Sequence, residues 1–133
     1  MSEDNRRLAE SAYAALNRRD LDGFLDLVHP EVEFGSLIAE ADGRTWHGHD
    51  GVRDWWTTVV HSVGGLRFEP DRIESFGDDG ITGMRIVGTI EGVEVRQELW
   101  QAWRVRDGRV AWWHGFRTRA EAAEALAEQA ARR

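Results

Sequence analysis

Between Leu66 and Thr118 apolar and polar residues alternate with a period of two. The run is cut by Gly77-Asp78-Asp79-Gly80, Glu91-Gly92 and Asp107-Gly108. Three turn signals inside an alternating run define a four-stranded antiparallel meander. Such a sheet has an apolar face to bury, and the rest of the chain must cover it. Leu8, Ala12, Ala15 and Leu16 fall at helical spacing between Asp4 and Asn17, with Arg6, Arg7, Glu10 and Arg18 on the other side. Asp20 is placed to cap a second, shorter helix, in which Leu21, Phe24, Leu25 and Val28 repeat at i, i+3, i+4 and i+7 until Pro30 stops it. Val32, Phe34 and Ser36 alternate with Glu31, Glu33 and Gly35 as a strand. After a loop with Gly43, Gly48 and Gly51, Asp50 is expected to cap the clearest helix. Its stripe is Val52, Trp55, Trp56, Val59, Val60 and Val63, with Gly64-Gly65 as the stop. Thr118 and Glu121 form a capping box that opens a terminal helix from Arg119 to Ala131. The expected class is α+β.

The 133 residues suit one domain spanning 1–133, and an apolar fraction of 41% with two prolines supports a folded core. The absence of cysteine excludes disulfides, thiolate nucleophiles and cysteine-ligated metal. Met1 to Arg7 is polar and no apolar run approaches the ~20 residues of a membrane span. The expectation is a cytoplasmic protein without a membrane partner. A formal net charge of −7, with arginines scattered among acids, argues against a nucleic-acid partner. The unusual feature is seven tryptophans, five phenylalanines and a tyrosine. So many large rings suit pocket walls or a subunit interface as well as a core. His47-x-His49 places two imidazoles on one side of an extended segment but has no third ligand nearby, so no metal is expected. Gly-x-Ser-x-Gly, phosphate-loop and His-Glu-x-x-His motifs are absent, and no cofactor is implied.

The order of a first helix, the Asp20-Leu21-Asp22-Gly23 helix, a strand carrying His29-Pro30-x-Val32-x-Phe34, the Gly48-His49-x-Gly51-Val52 helix and a meander ending in Arg106-Asp107-Gly108-Arg109-Val110 resembles the nuclear-transport-factor-2-like superfamily. It looks most like the SnoaL-like domain group, over Leu8 to Leu126. The resemblance implies a cone-shaped helix layer on a curved antiparallel sheet, a cystatin-like roll, enclosing an apolar pocket, and it implies a homodimer. Members include ketosteroid isomerases, limonene epoxide hydrolases, polyketide cyclases, dehydratases and non-catalytic binding modules, so the fold assigns no reaction. The ketosteroid isomerase tyrosine and aspartate align with Ala12 and Ser36, and Tyr13 lies roughly 100° further around the helix. The epoxide hydrolase aspartate–arginine–aspartate set falls on Met84, Thr82 and Gly115. The cyclase aspartate falls within Trp113-His114-Gly115-Phe116, where His114 is the titratable group.

Two-residue turns at Glu91-Gly92 and Asp107-Gly108 set cross-strand neighbours. One face then carries Trp103 opposite Trp112, Gln101 opposite His114, and Met84 beside Leu99 beside Phe116. The other carries Arg85 beside Glu98 beside Arg117, with Arg104 and Arg96. Burying the apolar face gives a cavity holding a His114–Gln101 pair as candidate catalytic residues. Trp103, Trp112, Met84, Leu99, Phe116, Trp46, Trp56, Phe34 and Tyr13 are the expected pocket walls. A β-bulge would reverse the face assignment partway along a strand and bring Glu98 inside. The site suits a flat, apolar small molecule, and His114 could move a proton near pH 7 in an isomerisation, cyclisation or dehydration. No carboxylate partner for His114 is visible in the sequence. The competing expectation is a non-catalytic ligand-binding or dimerisation module whose rings fill the cone.

Overall fold

The computed structural model of the chain describes residues 2–35 and 45–131. Helices α1 (Ser2–Asn17) and α2 (Leu21–Asp26) lead into strand β1 (Val28–Gly35). Strand β2 (Thr45–His47) precedes α3 (Gly48–Thr58) and a short 3-10 turn, Val60–Ser62. The long strands β3 (Gly64–Phe76), β4 (Asp79–Ile90), β5 (Val93–Arg106) and β6 (Arg109–Phe116) follow, and α4 (Arg119–Ala131) comes last.

The meander forms as expected, and Glu91-Gly92 and Asp107-Gly108 adopt the left-handed φ values of their tight turns (51° and 78°; 55° and 74°). β1 then runs parallel to β6, with β2 antiparallel beside it, giving the order β2-β1-β6-β5-β4-β3. The sheet is therefore mixed at one pair instead of wholly antiparallel. Alternation reports a strand's faces and carries no information on the direction of a distant neighbour. Parallel neighbours need a long crossover, which α3 and the meander supply. The sheet is curved and unclosed. Helices α1, α2 and α3 cover its inner face over a core containing Tyr13, Phe24, Phe34, Trp55, Trp103 and Trp113. On the outer face α4 lays Ala122 and Leu126 on Ile81, Ala102 and Trp112.

The local signals differ from expectation at three helix ends, one of them the end of α3, which stops at Thr58 ahead of the Val60–Ser62 turn instead of at Gly64-Gly65, where β3 opens. Asp20 caps α2 through the Gly23 N–H, 2.9 Å from Oδ1, but the helix stops at Asp26 and Val28 opens β1. Pro30 lies inside β1, between the Val28–Val110 and Glu33–Trp112 pairs where the register shifts, so its missing N–H costs no ladder bond. α3 begins at Gly48, and Asp50 is a first-turn carboxylate paired with Arg53 at 2.9 Å instead of the cap. Every member of the expected Val52 to Val63 stripe is buried. The Glu121 N–H donates to Thr118 Oγ1 at 3.1 Å, as a capping box requires.

A single residue decides which rings meet. Arg106–Arg109 and Val105–Val110 pair as the hairpin dictates, then Arg104 faces Trp112, leaving Ala111 as a bulge. Beyond it the partners are Trp103–Trp113, Ala102–His114, Gln101–Gly115 and Trp100–Phe116. The expected Trp103–Trp112 and Gln101–His114 pairs, and Phe116 beside Leu99, are corrected by this one-residue slip, which turns the rest of β6 over. Met84–Leu99 and Arg85–Glu98 pair as expected. Glu98 stays exposed because the bulge lies on β6, and Arg85 takes Glu69 at 3.2 Å as its ion-pair partner.

α1 is tied to backbone groups of the sheet at two points. The Asn17 side chain donates to Phe68 O at 2.9 Å and accepts the Phe68 N–H at 2.7 Å, and Asn5 Nδ2 donates to Gly77 O at 2.9 Å. The free edge β3 carries Pro70, two register shifts and the exposed Arg67, Asp71 and Arg72.

Gly80 faces Trp103 across the β4–β5 ladder, and a Cβ there would overlap the Trp103 ring. Gly80→Ala is expected to lower stability by about 1–3 kcal/mol, read as a reduced midpoint in urea unfolding. An unchanged midpoint would mean that the ring turns aside freely.

Candidate functional site

α1 places Ala9, Ala12, Tyr13 and Leu16 over the inner face of the sheet, because these positions recur every three or four residues. Together with α2, α3 and the strands they enclose a cavity of about 40 Å³. Its aromatic walls are Tyr13, Phe24, Trp55, Phe68, Trp103 and Trp113, and Gln101 is its polar side chain apart from the Tyr13 hydroxyl. That volume holds about one or two waters, well short of the roughly 300 Å³ of a site for drug-sized ligands. The rings take up the remaining space. Phe34 stacks on Trp113 at 4.1 Å, and Phe24 meets Trp113 edge-on at 5.8 Å.

The polar end holds two side-chain hydrogen bonds. The Tyr13 hydroxyl donates to Gln101 Oε1 at 2.8 Å, and Trp103 Nε1 donates to Thr82 Oγ1 at 3.0 Å. Thr82 is fully buried and is the cross-strand partner of Gln101. Burial pushes the Tyr13 phenol well above its ordinary range, outweighing the opposing effect of the nearby Thr82 hydroxyl, so Tyr13 is a neutral donor.

Of the expected pocket residues, Tyr13, Gln101 and Trp103 line this cavity. Phe34, Trp46, Trp56, Met84 and Leu99 are buried in the surrounding core without lining it. Trp112, Phe116 and His114 lie on the opposite face, so the expected His114–Gln101 pair does not form. Of the aligned positions, Ala12 and Tyr13 both line the cavity, and Ser36 lies outside the described residues. Phe24, Trp55, Phe68 and Trp113 are cavity walls that sequence reasoning misses. The first three lie in the apolar repeats of α2, α3 and β3, whereas Trp113 turns inward only through the bulge.

His114 has neighbours of its own. Its ring stacks on Trp112 at 4.8 Å, and Nε2 stands 3.4 Å from Glu33 Oε2 without the alignment of a hydrogen bond. The parallel β1–β6 pairing, which sets Glu33 beside Trp112, supplies this carboxylate. Burial lowers the His114 pKa, outweighing the opposing pull of Glu33. His49 Nε2 bonds Val28 O at 2.8 Å and His47 is exposed. Among the described residues no group of three or more His, Cys, Asp or Glu could hold a metal, and no helix is long and apolar enough to cross a membrane.

The folded state thus favours neutral His114, while the unfolded chain protonates it near pH 6.5. Its contribution is fully present above that pH and is lost as pH falls through 6.5 toward the lower folded value. Wild-type thermal stability is expected to fall between pH 7.5 and 5 more steeply than that of His114→Gln. Superimposable profiles would show that His114 carries no such penalty.

Comparison with known proteins places this geometry. A domain model described as the SnoaL-like domain matches residues 9–113. None of the curated proteins compared matches the chain in sequence. A nuclear-transport-factor-2-like protein of unknown function from Burkholderia pseudomallei is 26% identical, with a TM-score of 0.78 over 93% of this chain and 97% of that one. TerC, co-crystallised with polyporic acid, is 24% identical, with a TM-score of 0.77 over 91% and 96%. A protein of ketosteroid isomerase-like fold from Catenulispora acidiphila, in complex with trimethylamine, is 14% identical, with a TM-score of 0.72 over 82% and 83%. The helix-covered sheet, its inner cavity and the matched span together make this chain a member of the SnoaL-like domain family, within the nuclear-transport-factor-2-like superfamily.

Proposed function

We propose that this chain is a ligand-binding module whose inner cavity takes a compact, apolar small molecule bearing one polar group. The observation that carries the reading is the Tyr13–Gln101 pair, a single polar point in an otherwise apolar, ring-walled space. Among the described residues, no group lining the cavity titrates near neutral pH, so the acid–base chemistry expected of His114 has no proton carrier there. Neighbours of the same fold have been crystallised with polyporic acid and with trimethylamine, which supports small-molecule binding as the class of function. The limited volume favours a small ligand, and a larger one must displace rings from their stacked positions.

The test is intrinsic tryptophan fluorescence during titration with compact and flat apolar ligands, because Trp55, Trp103 and Trp113 line the cavity. Saturable quenching is expected, abolished by Trp103→Ala, weakened about fivefold to tenfold by Tyr13→Phe through loss of one hydrogen bond, and unchanged by His114→Gln. Quenching that depends on His114 and ignores Tyr13 would move the site to the α4 face and overturn the proposal.

A further inference from the structure

The inner cavity has a wall in common with a cleft on the surface, and that wall is Tyr13. The cleft, of about 370 Å³, lies along the seam between α1 and β3, with Arg6, Glu10 and Ala14 on one side and Pro70, Asp71 and Ile73 on the other. The seam is pinned at both ends. Asn5 Nδ2 donates to Gly77 O at one end, and the Asn17 side chain takes up both backbone groups of Phe68 at the other. Between these pins Tyr13 reaches β5 instead of β3, and its bond to Gln101 Oε1 holds the ring in place. β3 is weak along the same stretch. It is the edge of the sheet, Pro70 has no N–H to give, and the register shift between Pro70 and Arg72 leaves Asp71 without a cross-strand partner. The clefts of the outer face, lined by Trp100 and by Trp112, share no wall with the cavity. On the side away from the seam Trp55 and Trp113 are backed by Phe34, which has no exposed surface.

We propose that the cleft between α1 and β3 is the entrance to the inner cavity and that the Tyr13 ring is its gate, which swings aside to pass a ligand and closes behind it. The inference rests on the ligand-site reading and adds the route that such a site requires. A closed, close-packed space of about 40 Å³ fills only when a wall moves. Turning Tyr13 outward breaks its one bond to Gln101, and the cleft supplies the space into which the ring turns. Displacing Trp113 instead would break its ring contacts with Phe24, Phe34 and Trp55 together. Ala14 keeps the mouth open, because its side chain is a single methyl at an exposed position. An entrance leaves a kinetic signature. A residue of the mouth that never touches the bound ligand changes the barrier equally from both sides, so association and dissociation shift by one factor and Kd stays where it was. A residue that touches the ligand acts mainly on dissociation.

Stopped-flow quenching of the intrinsic tryptophan fluorescence by nitrobenzene, a flat ring with one polar group that quenches nearby indoles, measures both rates on the full chain. Ala14→Phe narrows the mouth from a position that the cavity itself does not include. It is expected to slow association and dissociation alike by about tenfold, with Kd within about twofold of wild type. Ile73→Ala widens the mouth from the β3 side and is expected to speed both rates by about threefold. Ser11→Phe, at an exposed position of α1 outside the cleft, should leave both rates unchanged. Rates untouched by Ala14→Phe would overturn the inference and leave the ligand site standing. A change in dissociation alone would do the same, because it would place the cleft against the bound ligand instead of on its route. Equal slowing by Ser11→Phe would also overturn it, by making the effect one of α1 as a whole. Absence of saturable quenching in wild type would overturn the ligand-site reading, and the inference with it.

Discussion

A strand shows its residues to alternate faces, so one unpaired residue reassigns every side chain after it. Ala111 is that residue in β6, and the arrangement of both cores depends on it. Ahead of the bulge Val110 faces inward with Val105. After it Trp113 also faces inward, reaching Phe24, Phe34 and Trp55, while Trp112, His114 and Phe116 turn toward α4. Without the bulge Trp112 would occupy the cavity wall and His114 would stand beside Gln101. The separation of a titratable outer face from an inner face with neutral hydrogen bonds follows from that slip.

The inner face combines tight aromatic packing with buried polar groups that would be costly if unpaired. Trp103 donates to Thr82 across β4 and β5, and Tyr13 donates from α1 to Gln101 on β5, so the second bond also fixes where α1 rests on the sheet. Asn17 and Asn5 hold the same helix from its two ends through backbone groups of Phe68 and Gly77. Tyr13 is therefore positioned by contacts remote from the cavity as well as by those within it.

The elements were legible where their signals are local. Glu91-Gly92 and Asp107-Gly108 announce their turns by residue type, Asp20 and Thr118 announce helix starts, and the Val52 to Val63 stripe shows the buried side of α3 and of the 3-10 turn after it. Non-local features were less accessible. The parallel approach of β1 to β6 brings Glu33 to His114, yet neither segment carries a mark of the other. Ala111 has no glycine, proline or charge to distinguish it from an ordinary strand residue, so the sequence leaves the register after it open to two pairings. Tyr13, Gln101 and Trp103 reach the cavity because they lie on α1 and β5, whose faces a bulge in β6 does not change.

The two borders of the sheet set how copies of this chain can meet. β2 is three residues long, too short to template a new strand. β3 interrupts its outer row of amides with Pro70, two register shifts and charged side chains. Open strand edges invite neighbours to continue a ladder, and these features are the means by which sheet proteins remain soluble when an edge is left uncovered. Among the described residues, growth by edge-to-edge addition is disfavoured at both borders, and contact between faces is free of that limit.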